Sequence, residues 1–249
     1  MDFNFRGLGF EQGDLVVVTG AASGIGRATA LAAARSGLTV AGWDMTADAL
    51  NSVVDEIKTS GGEAAAIVCD VTDQGALDEA WEQTATLGRP RYLVNNAGPP
   101  SSTDVPLVEG LRLSVGSMAA VTEGWLARFR GDASSVTFTS SIAGNFVAST
   151  VTAQWYPVAK AAIAAYVRDL AVRLRGQPRA NAVAPSLVET PRMKAMLASA
   201  TTKEALSRHP MGRIAQPEDI ASCICFLLSP AASFVNGVLL PVDGASTWV

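Results

Sequence analysis

The chain has 249 residues, 49% of them hydrophobic and 17% charged, so it can bury a sizeable core and lacks the composition of a disordered protein. Its net charge of −4 argues against a nucleic-acid partner, because phosphate binding requires a basic surface. Three cysteines and one histidine do not form a disulfide framework, a metal site or a Ser-His-Asp hydrolase. Without a membrane-length apolar run or a signal-peptide pattern, we expect a cytoplasmic protein.

Strand and helix patterns alternate along the chain after residues 1–13, which we expect to form an N-terminal extension. Strands are predicted at 15–19, 38–43, 64–69, 92–95, 135–139, 180–184 and 237–240. Helices are predicted at 25–35, 47–59, 73–87, 106–130, 154–175 and 217–228. This alternation predicts one doubly wound, Rossmann-type α/β domain over residues 14–249, with a parallel sheet flanked by helices on both faces. The segment at about 190–210 follows no strand directly and is predicted to be a small substrate lid.

Three glycines, Gly20, Gly24 and Gly26, lie between the first predicted strand and the first predicted helix. Without a Cβ they permit a tight turn and let backbone N–H groups approach a pyrophosphate at the positive end of the helix. An ordinary glycine turn is the alternative interpretation.

Asp44 follows the second predicted strand, at about the 20-residue distance from the loop at which an acidic residue binds the adenosine ribose. Neither Ser23 nor Met45 supplies a positive charge to neutralise a 2′-phosphate, so the sequence favours NAD over NADP. The alternative is that Asp44 only caps a helix or a turn.

Tyr156 and Lys160 are four residues apart and therefore share one face of a helix. A phenol with a pKa of about 10 is a poor base, but a nearby ammonium favours its ionised form. Ser141, just after the fifth predicted strand, would orient a substrate oxygen beside Tyr156. A Tyr-x-x-x-Lys pair alone is a weak signal, because most such pairs are an exposed lysine beside a packed ring.

Together these motifs resemble the short-chain dehydrogenase/reductase family. Thr19–Gly26 is similar to its TGxxxGIG loop, Asn95–Gly98 to its NNAG and Tyr156–Lys160 to its YxxxK, and the similarity extends over almost the whole chain from Gly13. The resemblance implies that the serine and tyrosine hydroxyls bind the substrate oxygen, that the tyrosine takes the proton and that the lysine binds the nicotinamide ribose. It also implies a homotetramer or homodimer formed through the helices near 106–130 and 154–175.

The resemblance assigns the catalytic roles to Ser141, Tyr156 and Lys160. Ser141 is preferred to its neighbour Ser140 because its spacing to Gly144 matches the family. The cofactor contacts that it implies, with NAD as the cofactor, are Gly20, Ser23, Gly24, Ile25, Gly26, Asp44, Met45, Asp70, Val71, Asn96, Ala97, Gly98, Tyr156, Lys160, Pro185, Val188 and Thr190.

Two departures from the family pattern bear on the chemistry. Many members carry a catalytic asparagine in the helix before the serine strand, and the position that we match to it is Gly116. The loss of this asparagine would either slow proton release or be compensated by Ser114, Ser117 or backbone groups in the proton relay. Pro157, directly after the tyrosine, requires Tyr156 to lie at the start of its helix.

We expect an NAD-dependent alcohol dehydrogenase/ketoreductase that acts on a lipophilic or cyclic secondary alcohol. The alternatives are a 3-oxoacyl-type reductase and a non-catalytic NAD-binding sensor or interaction protein. Each candidate substrate contact is apolar and has the alternative role of packing the lid or core. These candidates are Phe146, Trp155, Met193, Met196 and Leu197.

Overall fold

The computed structural model describes residues 6–145, 153–193 and 210–248. The strands are β1 Leu15–Thr19, β2 Thr39–Asp44, β3 Ala64–Val68, β4 Pro90–Asn95, β5 Ser135–Thr139, β6 Arg179–Pro185 and β7 Leu239–Val242. They form a parallel sheet in the order β3-β2-β1-β4-β5-β6-β7. The order reverses between β1 and β4, and doubly wound sheets bind ligands at the carboxyl ends of the strands at such a point.

Helices cover both faces of the sheet. They are α1 Gly24–Arg35, α2 Ala47–Thr59, α3 Gln74–Leu87, α4 Leu107–Leu111, α5 Ser117–Phe129, α6 Trp155–Arg173 and α7 Pro217–Leu228. One core contains Val17 with Trp81 and Trp125, whereas the other contains Val16 with Ile224, because alternate strand residues point to opposite faces. The doubly wound α/β fold is thus confirmed. No helix within the described ranges is both long enough and apolar enough to cross a bilayer.

Most predicted elements agree with the structure to within two residues at each end, but the helix predicted at 106–130 is interrupted. A π-helical turn, Arg112–Gly116, separates α4 from α5. Ser114 is buried in this turn, whereas Gly116 is exposed. The apolar pattern does not signal the interruption, because a π turn adds one residue without breaking the helical path.

The described part of the N-terminal extension packs against the amino end of the sheet. The ring of Phe10 meets Tyr92 edge to face at 5.2 Å, and the Gly13 amide donates to the Gly37 carbonyl. Residues 6–13 are therefore attached to the domain by specific contacts.

The two ends of the segment that contains the predicted lid lie side by side. Val188 forms a parallel β-bridge with Ala215, and the Glu189 amide donates to the Ala215 carbonyl at 2.8 Å. The side-chain amide of Gln216 also donates, through Nε2, to the Glu189 carboxylate at 2.7 Å. The intervening segment begins and ends at the carboxyl edge of the sheet. Residues 194–209 of the predicted lid lie outside the described residues.

Candidate active site

The carboxyl ends of β1, β4 and β5 are joined by a network around Thr19 and Asn96. The Thr19 hydroxyl donates to the Val94 carbonyl and accepts from the amides of Asn96 and Ala97. The Asn96 side chain donates to the Thr19 carbonyl and accepts from the Thr139 hydroxyl at 3.1 Å. This network holds together the strand ends around the point where the strand order reverses. Its central residue, Asn96, belongs to the Asn95–Gly98 motif.

The glycine loop after β1 is closed so tightly that a side chain at Gly26 does not fit. A Cβ there would lie 1.9 Å from the Gly20 carbonyl oxygen. Gly20 and Gly24 have positive φ angles of 69° and 53°, which side chains disfavour. Ser23 occupies the N-cap position of α1 but makes no side-chain capping bond. The amide groups at the start of α1 therefore face the carboxyl edge of the sheet without a side-chain cap.

Asp44 bridges the end of β2 to two backbone amides. One carboxylate oxygen accepts from the Ala22 amide at 3.1 Å, and the other accepts from the Thr46 amide at 3.0 Å. A carboxylate has about four acceptor sites, so both oxygens keep capacity for hydroxyl donors. The turn-capping role considered from the sequence is present, and it leaves a role in ribose binding open. Met45 beside it is 69% exposed.

The predicted adenine-side pair follows β3. The Asp70 carboxylate accepts from the amide and the hydroxyl of Thr72, and Val71 packs partly against the core. On the opposite side of the sheet edge, Pro185 ends β6 and Val188 is buried in its β-bridge. Thr190 lies close to the glycine loop, since a Cβ on Gly24 would be 3.1 Å from its methyl group.

The two serines after β5 have different environments. Ser140 is buried, and its hydroxyl donates to the Lys160 carbonyl at 2.8 Å. Ser141 is half-buried, accepts a bond from the Ala143 amide and donates to the Pro185 carbonyl at 3.5 Å, a long bond. Of the two hydroxyls, that of Ser141 is the one available to a substrate oxygen.

Lys160 is buried and aimed at the same region. Its Nζ donates to the Thr139 carbonyl at 2.9 Å and lies 5.5 Å from the centroid of the Tyr156 ring. Helix α6 begins at Trp155, so Tyr156 and Pro157 lie in its first turn, where the missing proline N–H costs nothing. The ammonium is thus held beside the phenol by a backbone carbonyl.

Gly144 allows the Ser141 loop to approach α6. A Cβ at Gly144 would lie 2.7 Å from the Ala161 nitrogen and from the Lys160 carbonyl carbon. Because the loop rests directly on the helix backbone, Ser141 and the first turn of α6 come together. In the sequence, Gly144 was used only to decide which of Ser140 and Ser141 matches the family spacing. No sequence pattern predicted its contact with α6.

The arrangement fits a nicotinamide dinucleotide. The glycine loop leaves a Cβ-free surface, the start of α1 has no side-chain cap, and the Asp44 carboxylate retains acceptor capacity. These three features lie at the carboxyl ends of β1 and β2, on the side of the sheet that doubly wound folds use for such ligands.

The predicted substrate contacts are only partly described. Met193 is half-buried in a short 3₁₀ turn, Pro191–Met193, whereas Phe146, Met196 and Leu197 lie outside the described residues. Trp155 differs from the expectation for a substrate contact. Its side chain is fully buried, and the indole N–H donates to the Thr103 carbonyl at 2.9 Å.

Comparison with known proteins agrees with this geometry. The sequence model of a family described as Enoyl-(Acyl carrier protein) reductase matches residues 20–247. The 7alpha-hydroxysteroid dehydrogenase of Escherichia coli (strain K12) is 35% identical over 242 residues, which cover 94% of each chain. The cyclohexanol dehydrogenase of Acinetobacter sp. (strain SE19) is 33% identical over 246 residues, again 94% of each chain.

A solved structure extends the likeness to three dimensions. A 7 alpha-hydroxysteroid dehydrogenase complexed with NADH and 7-oxo glycochenodeoxycholic acid superposes with a TM-score of 0.88. The match covers 98% of this chain and 97% of that one, at 33% identity. Together with the glycine loop and the Tyr156–Lys160 pair, these likenesses identify the chain as a member of the short-chain dehydrogenase/reductase family, an alcohol dehydrogenase/ketoreductase that uses a nicotinamide cofactor.

Proposed function

We propose that the protein is an NAD-dependent dehydrogenase that interconverts a lipophilic or cyclic secondary alcohol and its ketone. The observation that carries the proposal is the position of the Lys160 ammonium, between the Thr139 carbonyl and the Tyr156 ring, with the Ser141 hydroxyl on the adjoining loop. A positive charge beside a phenol stabilises the phenolate, which is the form that removes a proton from an alcohol.

In this proposal the Ser141 and Tyr156 hydroxyls bind the substrate oxygen. During oxidation the Tyr156 oxygen accepts the hydroxyl proton, while Ser141 holds the oxygen in place. The Lys160 ammonium stabilises the negative charge on Tyr156, and its bond to the Thr139 carbonyl keeps it there. In the reverse direction Tyr156 returns the proton to the oxygen of the ketone.

NAD would be held by the glycine loop, Gly20–Gly26, and by the residues that follow the neighbouring strands. When bound, the nicotinamide supplies the acceptor or donor for hydride. Asp44 favours NAD because its carboxylate accepts hydrogen bonds from hydroxyls and repels a phosphate. Met45, exposed beside it, offers no countercharge. The adenine side would be completed by Asp70 and Val71, and the nicotinamide side by Asn96–Gly98, Pro185, Val188 and Thr190.

A lipophilic or cyclic alcohol is the substrate class that the chain supports best. Half-buried Met193 provides an apolar surface at the start of the predicted lid. Two of the relatives are named for a hydroxysteroid and for cyclohexanol, both cyclic secondary alcohols. Phe146, Met196 and Leu197 complete the proposed apolar set.

The test combines cofactor binding with turnover. Calorimetry should show tighter binding of NADH than of NADPH, and Asp44→Ala should lose this preference, whereas the exposed α2 variant Asp55→Ala should keep it. A screen of cyclic secondary alcohols with NAD⁺ should then give turnover that Tyr156→Phe lowers by at least about 10²-fold. Tighter binding of NADPH, or turnover that survives Tyr156→Phe, would overturn the proposal.

A reductase that acts on a carrier-bound acyl chain is a second candidate, because one relative, 34% identical over 244 residues, is named 3-oxoacyl-[acyl-carrier-protein] reductase. The net charge of −4 favours the alcohol, since an acidic carrier docks on a basic surface. Reduction of a 3-oxoacyl thioester with NADPH, at a higher rate than any alcohol is oxidised, would establish this alternative. Binding of NADH without turnover in either screen would instead support a sensor.

A homotetramer is the assembly that we propose, with a homodimer as the smaller alternative. Exposed apolar side chains lie on the two helices predicted to form the interface, with Val108 on α4 and Val172 on α6 about 77–78% exposed. Light scattering of the purified chain tests the assembly. The three cysteines are free thiols, which fits the reducing cytoplasm that we propose as the location.

A further inference from the structure

Trp155, the residue before Tyr156, is enclosed on several sides. Its side chain has no solvent-exposed surface, and its indole N–H donates to the Thr103 carbonyl at 2.9 Å. Gly110 of α4 lies directly against it, because a Cβ on Gly110 would be 2.1 Å from the indole Cγ. The indole is therefore held between α4 and residues 99–106, the segment that follows the Asn95–Gly98 motif.

The same indole contacts the Tyr156 ring. The two ring centroids are 5.5 Å apart, with an interplanar angle of 75°, an edge-to-face arrangement that aromatic pairs prefer. Lys160 lies near the Tyr156 ring as well, with its Nζ 5.5 Å from the ring centroid. The aromatic contact with Trp155 and the cationic contact with Lys160 thus both contribute to the orientation of the phenol.

Residues 99–106 are tied to the start of α6 by two hydrogen bonds. Besides the bond from Trp155 to Thr103, the Ala153 amide donates to the Ser101 carbonyl at 3.0 Å. Since the Tyr156 amide donates in turn to the Ala153 carbonyl, the segment and the first turn of α6 form one connected unit. A shift of the segment would move the Tyr156 ring.

We propose that Trp155 is a positioning residue, which holds the Tyr156 ring beside Lys160 and links it to the segment after Asn95–Gly98. This role rests on the proposed function, in which Tyr156 exchanges the proton. It differs from the expectation that Trp155 lines the substrate site. The indole acts on the reaction through Tyr156.

The direct test measures ionisation of Tyr156 without any substrate. The chain has three tyrosines, and burial raises the pKa of Tyr92 and brings that of Tyr166 to about 12. The first phenolate seen by ultraviolet absorbance as the pH rises should therefore be Tyr156, and Tyr156→Phe should abolish it. Trp155→Phe should raise its midpoint by about half a pH unit, because a ring free to tilt loses part of its interaction with the Lys160 ammonium.

Trp125→Phe is the matched control. Trp125 is also fully buried, and its indole donates to the Pro90 carbonyl at 2.8 Å, but it lies on α5 in the core that contains Val17. This variant should lower the melting temperature and leave the phenolate midpoint unchanged. With an alcohol substrate, Trp155→Phe should lower kcat about tenfold and leave the affinity for NADH unchanged. The fall in kcat on the acid side of its pH profile should occur at a higher pH than in the wild type.

A second variant alters the α4 side of the contact between Gly110 and Trp155. Gly110→Ala should move the indole and shift the phenolate midpoint in the same direction, whereas Gly131→Ala should not, since a Cβ there meets nothing within 4 Å. An unchanged midpoint in Trp155→Phe and Gly110→Ala overturns the positioning role. If the wild type oxidises no alcohol, the proposed function fails, while the titration still decides the role of Trp155.

Discussion

The Ser140 hydroxyl donates a 2.8 Å hydrogen bond to the backbone carbonyl of Lys160, and so joins the end of β5 to the helix that carries Tyr156. This bond gives the two adjacent serines different environments, because it turns Ser140 towards the helix and leaves the half-buried Ser141 beside the candidate site.

The two serines should respond differently to the same substitution. Ser141→Ala should lower kcat/KM by about 10²-fold, comparable to the loss of one hydrogen-bond donor to a developing oxyanion. Ser140→Ala should cost about 0.5–1.5 kcal/mol of unfolding free energy, because the buried hydrogen bond to the Lys160 carbonyl is lost while that carbonyl keeps its donor within α6. Steady-state kinetics and urea unfolding of both variants measure the contrast. The assignment is wrong if Ser140→Ala is the variant with the larger kinetic defect and normal stability.

Gly26→Ala should abolish dinucleotide binding. The added Cβ would lie 1.9 Å from the Gly20 carbonyl oxygen and 2.7 Å from the side-chain Nδ2 of Asn96, so the loop has to move. Calorimetry with NADH should show at least about a 100-fold weaker affinity. Gly131→Ala is the control, and it should bind NADH like the wild type.

Gly116→Asn should leave the kinetics unchanged to within about twofold. The position matched to the family asparagine is exposed in the π turn, where a new side chain extends into solvent. Ser114 is the residue that this turn buries. A rise in kcat for Gly116→Asn, with no rise for the exposed control Glu123→Asn, would show that position 116 reaches the proton relay.

Arg179 should be a major contributor to stability. This buried residue of β6 donates to the carbonyls of Leu227, Leu228, Ser229 and Val235, and so caps the C-terminal end of α7. Arg179→Met should lower the free energy of unfolding by about 3–5 kcal/mol, because several buried carbonyls lose their donors. Urea unfolding should show a change of about 0.5 kcal/mol or less for the exposed Arg173→Met. Equal effects of the two variants would contradict the capping role.

Asp243 should contribute a pH-dependent part of the stability. Burial raises the pKa of its carboxyl group, but bonds from the Thr247 hydroxyl and from the amides of Ala245 and Thr247 outweigh burial and hold the pKa below 3.8. The contribution of a carboxylate with a lowered pKa is present above its unfolded pKa and is lost as the pH falls through the folded value. Asp243→Asn should therefore be less stable than the wild type at pH 7, with a difference that narrows only below about pH 3.8.

Urea unfolding between neutral and acid pH measures this difference, with the exposed Asp55→Asn as the control. The free energies of unfolding of the wild type and of Asp243→Asn could instead differ by a constant amount throughout the acid range. That result would show that the negative charge of Asp243 does not stabilise the segment 243–247.

Much of the fold was predictable because its signals are local. A few consecutive residues are enough to predict the strand after Asp14, the glycine loop, and the helix that carries Tyr156 and Lys160. The structure has the predicted element at each of these places. The π turn was missed because Ser114 and Gly116 carry no pattern that distinguishes them from an unbroken helix.

Contacts between distant residues gave no such signal. Trp155 was expected at the substrate as one of several apolar candidates, but its partners Gly110 and Thr103 lie about 50 residues earlier. Ser140 and Ser141 were separated only by motif spacing, while the bond to Lys160 that distinguishes them depends on how the loop packs onto α6.

The β-bridge between Val188 and Ala215 has a consequence for how this enzyme can change. Because the bridge already holds the two ends together, the chain between them can vary in length and composition at little further entropic cost. We therefore expect residues 191–214 to tolerate exchange as one unit, provided that Thr190 stays beside the glycine loop. If this segment forms the proposed lid, substitutions there should change which alcohol is oxidised, while Gly20–Gly26, Tyr156 and Lys160 retain their proposed roles.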